Sequence, residues 1–111
     1  MAPPELSEGI SLFNSRRYFE AHEIWEDLWR KSDGPPRLFY QGLIHAAVGL
    51  HHFSCGNRQG ARAQLAKSLE KLDGYAADYG GIDVSRLREE LRRILDRIDV
   101  LKTASVTIVR F

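Results

Sequence analysis

Four histidines and a cluster of acidic residues carry most of the chemistry this sequence can offer. His22, Glu23 and Glu26 lie within the run Tyr18-Phe19-Glu20-Ala21-His22-Glu23-Ile24-Trp25-Glu26-Asp27-Leu28-Trp29. At about 100° per residue on a helix, His22 falls in the middle of an arc shared with Tyr18, Trp25 and Trp29. Glu26 sits just inside the edge of that arc and Glu23 at its border. A buried polar group without a partner costs about 1–3 kcal/mol, so this placement predicts that partners meet them. His22 and Glu26 are four residues apart and can pair with each other. Further along, Gln41, His45 and His52 share one stripe of a second helical segment, with Gly42 and Gly49 beside it. His51 lies about 120° round from His45. The short turn between the two segments predicts an antiparallel pair, with the polar residues meeting across one interface.

Three kinds of chemistry fit this set. The first is a buried His/Glu/Gln hydrogen-bond network that specifies packing. The second is a divalent-metal site from His22, Glu26 and His52, with His45 as a further ligand and Glu23 standing behind them. The third is a small-molecule pocket with His22 as general acid or base, oriented by Glu26 or Glu23, in a hydrolase-type enzyme. The spacing reads H-E-x-x-E and lacks the second histidine of the zinc-protease motif. Cys55, near a helix end, has no neighbour in sequence that would activate it, and no glycine loop of the phosphate-binding kind is present.

The elements that must position these residues follow from periodicity and from breakers. A first helix is predicted over about 5–13, with Pro4 suited to a first turn that needs no N–H. A second is predicted over about 17–31, ended by Ser32-Asp33-Gly34-Pro35-Pro36. A third covers about 36–55, with Gly56 as its natural terminator, and Asn57 caps a fourth over about 58–78. Gly80-Gly81 makes a break. A fifth helix over 83–101 carries Leu87, Leu91, Ile94, Ile98 and Leu101 in a heptad-like stripe, read as covering the domain's own core or as a homodimer seam. The tail over 103–111 is rich in β-branched residues and reads as extended or frayed. Arg16 to Ala21 and Gly56 to Ala61 form a weak internal repeat about 40 residues apart, each a turn followed by a helix, in the manner of tetratricopeptide hairpins.

The bulk numbers set the frame. A chain of 111 residues fits one domain, here residues 1–111, with 43% hydrophobic and 28% charged residues. A net charge of +1 gives no field to attract nucleic acid or an anionic membrane. One cysteine excludes an internal disulfide and suits a reducing compartment. The N-terminus has no secretory signal pattern, and the apolar-leaning stretch 43–53 is too short and polar to span a bilayer. The expected location is cytoplasmic.

The elements Leu12-Phe13-Asn14, Glu20-Ala21-His22-Glu23-Ile24-Trp25-Glu26, Gln41-Gly42-Leu43-Ile44, His51-His52 and Gly56-Asn57 together make a recognisable set. The chain resembles the family called domain of unknown function 309, over about residues 5–72. The resemblance implies an all-α bundle with tetratricopeptide-like hairpins and no established activity. It puts His22, Glu23, Glu26, Trp29, Gln41 and His51 or His52 among the signature positions, and makes His45 less fixed. The expectation is an irregular all-helical bundle of about five helices with a short extended tail. Its expected function is non-catalytic binding of a protein or small-molecule ligand at the site of His22, Glu26, Gln41 and His52. A metal-binding or acid–base enzyme is the alternative.

Overall fold

A computed structural model describes residues 2–111 as five helices and one small hairpin. Pro4 opens α1 (Pro4–Asn14), preceded by Pro3 in an extended conformation. Leu6, Ile10 and Phe13 form its buried stripe. α2 (Tyr18–Arg30) buries Tyr18, Ala21, Trp25 and Leu28 at helical spacing, and α1 and α2 pack together through Phe13, whose ring lies 5.1 Å from Tyr18 and 5.7 Å from Trp25. α3 (Gly34–Ser54) is the longest helix and the central one, in contact with both α2 and α4 (Arg58–Leu72). It runs antiparallel to α2. The Arg37 guanidinium sits 4.2 Å over the Trp29 ring near their shared turn, and Phe19 meets His51 at 5.2 Å at the far end.

The weak repeat has a structural counterpart. Gly56, at φ +79°, follows the α3 cap; its N–H donates to the Phe53 carbonyl, and the Asn57 N–H donates to that of His52. The same pair of reversed hydrogen bonds ends α1, from Arg16 to Phe13 and from Arg17 to Leu12. This is the Schellman termination, which needs a left-handed residue. Arg16 supplies it at φ +64°, in a conformation that a side chain disfavours.

Two helices end earlier than the periodicity predicts. α4 stops at Leu72 rather than near Asp78, where the chain turns and the Tyr75 ring packs edge-to-face with Phe39 and Tyr79 at 5.1 and 4.7 Å. α5 (Val84–Asp96) stops before Leu101, and the Arg58 side chain takes the Ile98 and Leu101 carbonyls beyond it. The Gly80-Gly81 break is the tip of a hairpin between β1 (Asp78–Tyr79) and β2 (Ile82–Asp83). Both glycines have positive φ, as a two-residue hairpin turn requires.

The apolar stripe of α5 is used internally. Leu87, Leu91, Ile94 and Ile98 are all buried in the chain's own core, and Leu101 is partly buried against it. The tail is extended, but it is docked rather than frayed. Val106 and Ile108 are buried, Ile82 pairs with Arg110 in an antiparallel bridge, and Asn14 clasps Ile108 from both sides. Its Nδ2 donates to the Ile108 carbonyl at 3.0 Å, and its Oδ1 accepts from the Ile108 N–H at 2.8 Å.

Candidate functional site

The feature that stands out on the α2–α3 face is an open cleft of about 330 Å³ lined by Phe19, His22, Val48, His51 and His52. Phe19 is its aromatic post. Its ring is half exposed and lies 5.1 Å from the His22 ring and 5.2 Å from the His51 ring. Phe19 is three residues before His22 and therefore on the same helical face; that spacing was the available signal for it. The His51 and His52 rings follow at 6.3 Å from each other.

The expected site residues divide into those the fold brings together and those it does not. His22 is half-buried, with 18% of its side chain exposed, so water reaches it; the site is open where the sequence predicts burial. Its Nδ1 lies 3.0 Å from the Phe19 carbonyl, and its Nε2 lies 3.6 Å from Glu26 Oε2. Glu26 is 40% exposed and also lies 3.6 Å from Arg30, while Glu23 faces solvent. Tyr18 and Trp25, expected around His22, instead face α1 in the core, and Trp29 is half-buried under Arg37.

On α3 the polar stripe turns towards α4. His45 Nδ1 pairs with Gln64 Oε1 at 2.7 Å, away from His22. Burial holds the His45 imidazole below its ordinary value of 6.5; the Gln64 hydrogen bond opposes this, and Lys71 and Lys67 add to it. Gln41 is half-buried and makes no hydrogen bond to His22 or Glu26 among the described residues. The reason is in the two glycines. A Cβ on Gly42 or Gly49 would come within 2.9 Å of Leu72 or 2.8 Å of Leu65, so both mark the line where α3 and α4 touch. The stripe beside them follows that line. His51, on the other side of the helix, is the α3 histidine whose ring meets Phe19 of α2. The buried Ser68 hydroxyl fastens the same α3–α4 contact by donating to the Gly42 carbonyl at 2.7 Å.

The three candidate metal ligands His22, Glu26 and His52 do not converge. Among the described residues no three His, Cys, Asp or Glu side chains are grouped so as to hold a metal ion. No nucleophile among them contacts His22 either. Cys55 is exposed, and its Sγ lies 3.7 Å from His51 Nε2. What the arrangement offers is imidazole nitrogens, one aromatic face and one aliphatic wall.

A neighbour that the sequence marks only as a cap shapes the cleft from outside. Asn57 Oδ1 accepts from the Gly60 N–H at 2.8 Å, capping α4, and its Nδ2 faces His52 Nδ1 at 3.4 Å.

Comparison with known proteins places this geometry in context. The family model described as "Domain of unknown function (DUF309)" matches residues 6–64, which include every residue lining the cleft. The chain is 34% identical over 96 residues to the uncharacterized protein YpuF of Bacillus subtilis (strain 168); the match spans 83% of this chain and 55% of that protein. It is 30% identical over 91 residues to an uncharacterized protein of Aquifex aeolicus (strain VF5), spanning 81% of this chain and 27% of that one. It thus spans about half of one curated relative and about a quarter of the other. Among solved structures, the conserved hypothetical protein TTHA0068 from Thermus thermophilus matches with a TM-score of 0.72 and 35% identity, over 86% of this chain and 99% of that one.

Proposed function

The chain belongs to the domain of unknown function 309 family, and on that premise we propose that it is a non-catalytic binding domain whose recognition element is the α2–α3 cleft. One observation carries the reading. Phe19, half exposed, is held against two imidazoles in a cleft that Val48 also lines. An exposed aromatic ring fixed in place loses little conformational entropy on binding, and this is how recognition surfaces use such residues. The neighbours of the His22 ring nitrogens are a backbone carbonyl and a carboxylate, both hydrogen-bond acceptors. The ligand is a small molecule or a segment of a partner protein.

No helix among the described residues is long and apolar enough to cross a membrane. A single exposed thiol at Cys55 supports a reducing compartment, and we place the protein in the cytoplasm on that ground.

Fragment mapping tests the proposal. Isotope-labelled protein is titrated with a panel of small aromatic and amide compounds, and backbone and methyl shifts are followed. The expected shifts cluster on Phe19, His22, Val48, His51 and His52, and they vanish in Phe19→Ala at unchanged melting temperature. Shifts clustering instead on a separate cavity, lined by Pro3, Phe39, Tyr40 and Tyr79 among others, would contradict it.

A further inference from the structure

Hydrogen-bond partners fix the protons of two cleft histidines, and they fix them in opposite senses. A backbone carbonyl only accepts, so the His22 nitrogen 3.0 Å from the Phe19 carbonyl, Nδ1, carries a proton. In the neutral ring its Nε2 is then a bare lone pair, and it lies beside the Glu26 carboxylate. At the other end of the cleft, Asn57 sets the proton of His52. The Gly60 N–H can only donate, so the Asn57 atom that receives it is the amide oxygen. The Asn57 amide nitrogen therefore faces His52 Nδ1 at 3.4 Å, and an amide NH₂ only donates. His52 Nδ1 accepts, the His52 proton sits on Nε2, and that N–H has no partner among the described residues. His51 stands between the two with its Nε2 against Cys55 Sγ. Of the charged groups nearby, Glu26 and its partner Arg30 are at the His22 end. Arg58, which follows Asn57 in the chain, is occupied by the Ile98 and Leu101 carbonyls.

We propose that the cleft takes a peptide-like ligand: its N–H faces His22 and Glu26, its carbonyl faces the His52 N–H, and its apolar side chain lies on Phe19 and Val48. This rests on the reading of the cleft as a binding site. A carboxylate ligand could satisfy His52 but would meet Glu26 with like charge. An ammonium ligand could satisfy the His22 end but gives the His52 N–H nothing to donate to. Asn57 is a positioning residue, since it acts through His52.

The test uses the full chain, labelled with ¹⁵N in its histidine rings, at about pH 8, well above the ordinary imidazole range. Three probes are compared: N-acetylphenylalanine amide, benzoate and benzylamine. The neutral amide is expected to move the ring nitrogens of both His22 and His52 and to bind at least about fivefold tighter than either single-ended probe, as one extra hydrogen bond allows. Asn57→Asp supplies the second arm. The carboxylate still caps α4 but can only accept, so the neutral His52 ring at about pH 8 turns its proton to Nδ1 and its Nε2 loses the donor. The variant is expected to fold normally, to show the changed His52 ring-nitrogen shifts, and to lose amide binding by about fivefold or more. Benzoate or benzylamine binding as tightly as the amide would overturn the proposal, as would undiminished amide binding in Asn57→Asp. No binding of any probe would also overturn it, while fragment shifts on the cleft would still uphold the broader reading of a binding domain.

Discussion

Replacing Gly9 by alanine tests how α1 and α2 are locked together. In an exposed helix the change would stabilise by about 1 kcal/mol, because glycine is a poor helix former. Here the sign should reverse. The added Cβ would lie 2.0 Å from Trp25 Nε1 and 2.5 Å from two further indole atoms. Trp25 is fully buried, flanked by Phe13, and its Nε1 points at the Leu6 carbonyl at 3.4 Å, so the ring has no free space to enter. Overpacking of a rigid core group costs about 1–3 kcal/mol, and an overlap this deep belongs at the upper end or beyond it. Less the propensity gain, a net loss of about 2 kcal/mol remains. The unfolding entropy of a 111-residue chain is about 0.23 kcal/mol per kelvin, so the melting temperature should fall by roughly 8–9 °C. Calorimetry measures this directly, and indole fluorescence reports whether Trp25 has moved. An unchanged or raised melting temperature would refute the packing of α1 on α2 described above.

Other expectations follow from single features. Arg16→Gly should raise stability by about 0.5–1 kcal/mol in thermal unfolding, because Arg16 holds a left-handed conformation that glycine adopts freely. Asn14→Ala removes both hydrogen bonds to Ile108; it should cost about 1–3 kcal/mol and speed amide exchange in the tail, at Val106 and Ile108 above all. His45 resists protonation in the folded state because it is buried, so the unfolded chain binds the proton more readily. Stability should therefore fall as pH drops through and below 6.5, and denaturant midpoints at about pH 7.5 and about pH 5.5 should converge in His45→Leu relative to the parent chain.

Much of the fold is legible in the sequence because it is set locally. Pro4 and Pro35 stand in the first turns of α1 and α3, and Gly56 and Gly80-Gly81 punctuate the chain where the structure breaks. The apolar stripe of α5 likewise announces a helix. What escaped is set by distant partners. Asn14 and Ile108 are 94 residues apart, and nothing in the local pattern of the tail shows that it docks. Arg16 reads as an ordinary charged residue, although it occupies the position that Gly56 fills in the second hairpin. The candidate site shows the same limit. A helical wheel gives the angles between Gln41, His45, His51 and His52, but not which neighbour each angle meets. Gly42 and Gly49, seven apart, held that information, since two small residues on one line mark the closest helix contact. His22 and Glu26 are adjacent in the structure as their spacing requires, and Phe19 joins them by the same rule.

The cleft with its imidazoles set in advance of any ligand is tested most directly by the ring-nitrogen spectrum of the free protein at about pH 8. His22 is expected to carry its proton on Nδ1 and His52 on Nε2, as two distinct sets of ¹⁵N shifts. Both rings in the same tautomer, or both averaged between the two forms, would contradict it.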